Sequence, residues 1–358
     1  MQFERLPHPA PVPSATRDQA LADPGFGKVF SDHMVSIDWS EGTGWHDARI
    51  GPHEPISLDP ACAVLHYAQE IFEGMKAYRQ EDGGLALFRP EENARRFNAS
   101  ARRMAMPELP EELFIEAVRL QVLTDKDWFP SVEGGSLYLR PFMFASEAFL
   151  GVRPAKDYKF LVIASPVGNY FKSGVPAVTI WVSRDYTRAA PGGTGAAKTG
   201  GNYAASLVPQ AEAIAQGCDQ VVFLDAAEKK WIEELGGMNL FFAMDDGSVI
   251  TPPLTGTILP GITRASLIEL LREEGLEVRE EPYSIEQWRG DAQSGRLVET
   301  MACGTAAVVT PVGHVKGPDG EFTIGGGGPG QLTTKLREKL VGIQQGRIED
   351  TRGWVMRL

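Results

Sequence analysis

Apolar residues recur along this chain with two spacings, and their order predicts the elements. Runs at 72–78, 85–88, 137–144 and 160–164 are short and rich in aliphatic and aromatic side chains, which predicts strands. A helix is predicted over 91–104, where Ala94, Phe97, Ala101 and Met104 recur at helical spacing. Another, opened by Pro110, carries Leu113, Phe114, Ala117 and Leu120. In the second half, 178–183, 220–224, 240–244 and 300–310 read as strands, and 202–216, 264–274, 285–294 and 331–345 as helices. Gly217, Gly275, Gly295 and Gly346 stand where C-caps are expected, and Ser284 with Gln287 forms a plausible capping box. Strands and helices in this mixed order, with no internal repeat, indicate an α+β protein. Pro166, Gly168, Ser173, Gly174 and Pro176 mark a linker over 166–177. It separates a smaller N-terminal α+β domain, 1–165 with an extended Pro-rich start at 1–24, from a larger C-terminal domain at 178–358.

Composition narrows the class. With 43% hydrophobic residues among 358 and no apolar stretch long enough for a bilayer, a soluble globular protein with no membrane partner is expected. Thirty-five Lys and Arg against 47 Asp and Glu give a net charge of -12, which argues against nucleic acid as a partner. The basic cluster Arg95, Arg96, Arg102 and Arg103 lies on the amphipathic helix and is expected mostly to face solvent. Cys62, Cys218 and Cys303 are odd in number and form no CxxC, as in a reducing compartment, and residues 1–14 lack the apolar core of a secretory signal. Cytoplasmic location is the expectation. The six histidines show no ligand pair at helical spacing, so no metal is expected.

The most informative residue is Lys198, a lone cation in Gly192-Gly193-Thr194-Gly195-Ala196-Ala197-Lys198-Thr199-Gly200-Gly201-Asn202-Tyr203. Glycines let backbone approach a ligand, and a lysine withdrawn from water becomes a usable amine nucleophile; a solvated turn lysine is the plain alternative. Glu233 and Glu234 interrupt an apolar run ending in Gly236-Gly237, where a carboxylate could pair with a cationic ring nitrogen or simply face water from an edge strand. The turn 254–264 feeds a helix whose first N–H groups suit a phosphate, unless Thr263 is only an N-cap. Ala302-Cys303-Gly304-Thr305-Ala306-Ala307 is a small-residue turn with one hydroxyl suited to an oxyanion. Arg140, inside an apolar strand, indicates anion recognition or a structural ion pair. The glycine run 325–330 lacks P-loop and dinucleotide spacing and reads as a flexible turn.

Taken in order, these segments resemble the branched-chain amino-acid aminotransferases, pyridoxal-phosphate enzymes of fold type IV in the class IV aminotransferase family. The resemblance runs through 26–34, Leu65-His66-Tyr67, Phe72-Glu73-Gly74-Met75-Lys76-Ala77-Tyr78 and Leu87-Phe88-Arg89-Pro90. It continues through Tyr138-Leu139-Arg140-Pro141, Lys198-Thr199-Gly200-Gly201-Asn202-Tyr203, Glu234-Leu235-Gly236-Gly237-Met238-Asn239 and Leu259-Pro260-Gly261.

The resemblance implies a homodimer of two-domain subunits with the active site between the domains. It implies reversible amino transfer from leucine, isoleucine or valine to 2-oxoglutarate, giving the branched 2-oxo acid and glutamate. Lys198 would hold pyridoxal phosphate covalently and, once displaced, move the substrate's proton. Glu234 would face the pyridine nitrogen and Tyr203 the ring's phenolic oxygen, while Arg89, the Ile262 and Thr263 backbone and Thr305 would hold the phosphate. Phe26, Tyr67, Tyr138 and Tyr170 would line an apolar pocket, with Leu150 and Val152 entering from the partner subunit. Backbone N–H groups near Thr305 and Ala306 would take the α-carboxylate, and Arg140 the distal carboxylate of glutamate. Ala307 and Thr310 stand where some animal members carry a CxxC, so thiol control is not expected there, and Gly237 replaces a threonine of others. A D-amino-acid aminotransferase or an aminodeoxychorismate lyase would keep Lys198 and Glu234 but change the pocket.

Overall fold

The apolar run at 137–144 becomes the strand Ser136–Ala145, whose odd-numbered residues Leu137, Leu139 and Met143 are buried while Tyr138, Arg140 and Phe142 stand half-exposed on its other face. That alternation is what one buried face of an antiparallel sheet requires. The protein is described by a computed structural model over residues 1–132, 134–168 and 177–358. The described residues of Met1–Tyr170, with Ala197–Gly200 and Gly342–Leu358, form one compact unit. Those of Phe171–Ala196 and Gly201–Val341 form a second.

In the first unit the strand order is Glu4–Arg5, Gly44–Pro52, His33–Ser40, Asp157–Val167, Ser136–Ala145, Met75–Arg79, Leu85–Phe88 and Val355–Arg357, with Glu70–Phe72 also on Ser136–Ala145. Helices Pro90–Arg103 and Glu111–Thr124 close the buried face. There the rings of Phe97, Phe114 and Phe160 meet with centroids 5.3 to 6.0 Å apart. The run at 72–78 is not one strand. It divides at Glu73 and Gly74 into Glu70–Phe72 and Met75–Arg79, opposite Pro141, which has no N–H for the ladder.

The second unit is built on a mixed sheet in the order Ile232–Leu235, Gln220–Leu224, Val178–Ser183, Val308–Gly317, Leu297–Gly304, Asn239–Met244, Ser248–Thr251 and Glu277–Glu280, with Gly320–Thr323 on Val308–Gly317. Phe242, Tyr283, Trp288 and Phe322 fill its core. The run 300–310 turns at 305–307 to make an antiparallel pair, Leu297–Gly304 with Val308–Gly317. The helix expected over 202–216 is two, Gly200–Ala204 and Leu207–Ala215, because Pro209 fits only the first turn of a new helix. The Ser284–Gln287 capping box is present, with both bonds formed at 2.9 and 3.0 Å, and Gly295 ends that helix at φ +81°.

Several expectations are corrected. The second domain was expected to run unbroken to 358, but Val355–Arg357 pairs antiparallel with Leu85–Phe88 and extends the first sheet. The linker was placed from 166, yet the strand Asp157–Val167 continues through Pro166 and Val167; residues 169–176, with Tyr170, lie outside the described residues. Arg96 does not face solvent. Its guanidinium, 10% exposed, makes two bonds of 2.7 and 2.8 Å to the fully buried Glu73, while Arg95 and Arg102 are more than half exposed.

The glycine run at 325–330 precedes the helix Gln331–Gln344, whose start already holds an anion of the protein's own. Glu299 accepts the N–H groups of Leu332 and Thr333 at 2.9 Å and the Thr333 hydroxyl at 2.7 Å. A phosphate there would displace a carboxylate already bonded to that helix end.

Candidate active site

Strand alternation in the first unit places Glu70, Phe72, Tyr138, Arg140 and Phe142 on the sheet face opposite the core. Lys198 is fastened onto this face by its backbone. Its N–H donates to Ser100 Oγ at 2.9 Å, and its carbonyl accepts the Phe72 N–H at 3.0 Å. Its Nζ lies 4.8 Å from the Phe72 ring centroid. A lysine held at N–H and C=O alike has its backbone fixed on this face.

Arg140 sits over the same ring at 4.7 Å, with Nη2 donating to Tyr138 Oη at 3.3 Å and a buried Nε without a hydrogen-bond partner. Among the described residues no carboxylate lies within ion-pair distance of it, although its charge is felt at Glu70. Phe26 packs edge-on against Tyr138 at 5.1 Å. A Cβ at Gly74 would overlap the Tyr138 hydroxyl, which explains the glycine. Tyr67 donates to the Leu150 carbonyl of its own chain, and the side chains of Leu150 and Val152 are 64% and 89% exposed. Arg89 precedes the helix Pro90–Arg103 at φ +48°, its guanidinium 4.9 Å from the Trp354 ring and only 13% exposed.

In the second unit the plain reading of Glu233 and Glu234 as water-facing edge charges is overturned. Ile232–Leu235 is an edge strand, but both carboxylates are buried. The segment Thr257–Leu259 covers them: Leu259 N–H donates to Glu234 Oε1, and the Thr257 hydroxyl to Glu233 at 2.5 Å. Arg188 Nη2 lies 3.4 Å from Glu234 Oε2, while its Nη1 donates to the Thr257 carbonyl at 3.0 Å. Burial pushes the Glu233 carboxyl above its ordinary range, and the Thr257 hydroxyl pulls it back.

The same segment runs on to the helix Ile262–Glu273. Its N-cap is Gly261, not Thr263, and no side chain caps it, so the N–H groups of Ile262 and Thr263 sit in a first turn that no capping oxygen serves. Asn239 Nδ2 holds the Leu259 carbonyl at 3.1 Å, and a Cβ at 261 would overlap Asn239 Oδ1. Thr305 and Ala306 lie half-buried in the turn after Leu297–Gly304. A Cβ at Gly237 would meet the Tyr203 ring at 3.6 Å, an ordinary contact. Burial pushes the Cys303 thiol up to about 12, which leaves it inert beside this turn.

Arg188, Asn239, Ser100 and Glu70 escaped the sequence reading. Ser100 had a signal: a hydroxyl on the buried face of an amphipathic helix, fully enclosed in the structure. Among the described residues no helix is long and apolar enough to cross a membrane, and no three His, Cys, Asp or Glu cluster as metal ligands.

Comparison with known proteins gives consistent matches. Residues 70–315 match the family described as Amino-transferase class IV. The branched-chain-amino-acid aminotransferase of Mycolicibacterium smegmatis is 54% identical over all of this chain and 98% of its own length. The probable branched-chain-amino-acid aminotransferase of Streptomyces coelicolor is 56% identical over 99% of this chain and 98% of its own. Among solved structures, the Escherichia coli branched-chain amino acid aminotransferase superposes with a TM-score of 0.72 at 31% identity, covering 90% of this chain and 98% of that one. The Thermobaculum terrenum enzyme in its PLP form gives 0.73 at 25% identity, over 90% and 97%.

Proposed function

Because the chain belongs to the class IV aminotransferases, with the branched-chain enzymes as its relatives, we propose the following roles for its residues in that reaction. The protein transfers the amino group of leucine, isoleucine or valine reversibly to 2-oxoglutarate, with pyridoxal phosphate as cofactor. The residues present fit that group. An amine on a fastened loop, a buried carboxylate to accept from a ring N–H and the first-turn N–H groups of an uncapped helix start are the groups it requires.

Pyridoxal phosphate, when bound, supplies an electron-withdrawing ring that takes up the pair left as the substrate Cα loses its proton. Lys198 holds the cofactor and then carries that proton, as base and afterwards as acid. Glu234 keeps the ring nitrogen protonated, and Tyr203 donates to the phenolic oxygen. Arg89, the N–H groups of Ile262 and Thr263, and Thr305 hold the phosphate. Phe26, Tyr67, Tyr138 and Tyr170 form the aliphatic pocket, and the N–H groups near Thr305 and Ala306 receive the α-carboxylate. The placement of Lys198, fixed at both backbone groups with its amine over Phe72, is the observation that carries this assignment.

The working form is a homodimer in which Leu150 and Val152 complete the partner's pocket, and their exposure leaves both side chains open to such a contact. The two compact units act as the two domains, with Lys198 carried by the first and not, as expected, by the second. A cytoplasmic location accords with three buried, unpaired cysteines.

Arg140 binds the distal carboxylate of glutamate and 2-oxoglutarate. In Arg140→Met the KM for these two rises at least about thirtyfold, since a lost charged partner costs roughly 2 to 5 kcal/mol. The KM for leucine changes little, and steady-state kinetics with both donors decide; equal losses would remove Arg140 from this role. Gly261→Ala is expected to raise the pyridoxal phosphate dissociation constant about tenfold, because the added carbon must push Asn239 off the Leu259 carbonyl. Titration of the apoprotein measures it.

A further inference from the structure

Two cations, Lys198 Nζ and the Arg140 guanidinium, share the Phe72 ring at 4.8 and 4.7 Å. They repel one another, and an anion stands on the same sheet face: Glu70, two residues before Phe72. Glu70 is half-buried, and its bonds go to the lysine loop. Its Oε1 accepts the Gly200 N–H and, at 3.4 Å, the Thr199 hydroxyl. A Cβ at residue 200 would overlap that oxygen, so the glycine there admits the carboxylate. Burial pushes the Glu70 carboxyl up, and the Gly200 N–H, the Thr199 hydroxyl and the charge of Arg140 draw it back.

We propose that Glu70 is a positioning and specificity-determining residue: it fixes the loop that carries Lys198 and, as a carboxylate, opposes the pull of Arg140 on a second carboxylate. The two effects come from different properties of one side chain. The hydrogen bonds need an oxygen, which glutamine keeps. The opposition needs the charge, which glutamine lacks. Field strength at Arg140 thereby becomes a compromise, strong enough for glutamate yet tolerant of an aliphatic side chain on the same face.

This inference rests on the proposed role of Arg140, and its test separates the two. The probes are glutarate and 4-methylpentanoate, unreactive acids shaped like glutamate and leucine, titrated against the holoenzyme. In Glu70→Gln the dissociation constant of glutarate is expected to fall about fivefold while that of 4-methylpentanoate stays within about twofold. In Glu70→Ala, kcat falls at least about tenfold with either donor, and the apoprotein binds pyridoxal phosphate more weakly. An unchanged ratio of the two acids in Glu70→Gln would overturn the charge role, whether or not the alanine variant folds. Full kcat and cofactor affinity in Glu70→Ala would overturn the positioning role. Arg140→Met runs beside them: if it weakens both acids equally, the Arg140 assignment itself fails, and if it weakens only glutarate while Glu70→Gln alters nothing, the Glu70 inference alone fails.

Discussion

On the role proposed for Lys198, Lys198→Ala is expected to lower turnover by at least about 10⁴-fold with every amino donor, because one substitution would remove both the covalent attachment and the group that carries the proton. The variant still folds. Both bonds that fasten residue 198, to Ser100 Oγ and from the Phe72 N–H, are made by its backbone, and alanine keeps them. Its melting temperature is therefore expected to stay within a few degrees of the parent, which separates lost chemistry from lost structure. In the parent, borohydride reduction is expected to fix pyridoxal phosphate to a peptide containing Lys198. Mass spectrometry of the digest checks the position, and an adduct on Lys76, which stands opposite Tyr138 in this sheet, would reassign the reacting amine.

Much of this was legible in the chain because local rules carried it. Caps and helical periodicity located the helix from Ser284 to Gly295 closely, since an N-cap box and a C-terminal glycine are local signals. Lys198 and Glu234 stood out by a single criterion, a charge where the pattern wants none. What escaped depends on contacts distant in sequence. Val355–Arg357 is three residues long and has meaning only beside Leu85–Phe88. The solvent-facing rule held for Arg95 and Arg102 but failed for Arg96, because its partner Glu73 comes from a different element. Arg188 lies in a loop with no apolar pattern to interrupt, so nothing local distinguishes it from an ordinary surface arginine; only Glu234 and the Thr257 carbonyl do.

That last pair makes Glu234 the second decisive position. Glu234→Gln is nearly isosteric and keeps an oxygen for the Leu259 N–H, so the segment leading to the helix Ile262–Glu273 remains anchored. The charge is lost, however, and a neutral amide cannot hold a proton on a ring nitrogen; kcat is expected to fall by about 10²- to 10³-fold. The fold pays as well, since Arg188 is left without the carboxylate 3.4 Å away, and breaking a buried pair from one side costs about 3 kcal/mol or more. Retained contact with the Thr257 carbonyl, and the field of Glu233, keep that cost toward the lower end. Glu233→Gln is the control. Glu233 shares the burial and the arginine but accepts from the Thr257 hydroxyl instead of the Leu259 N–H, and with the ring contact proposed for Glu234 alone, its variant should lose less than about threefold in kcat. Steady-state kinetics and thermal melts of both variants distinguish the outcomes: similar losses of activity in the two would mean that burial of charge at this strand, and not a carboxylate aimed at the ring, sustains turnover.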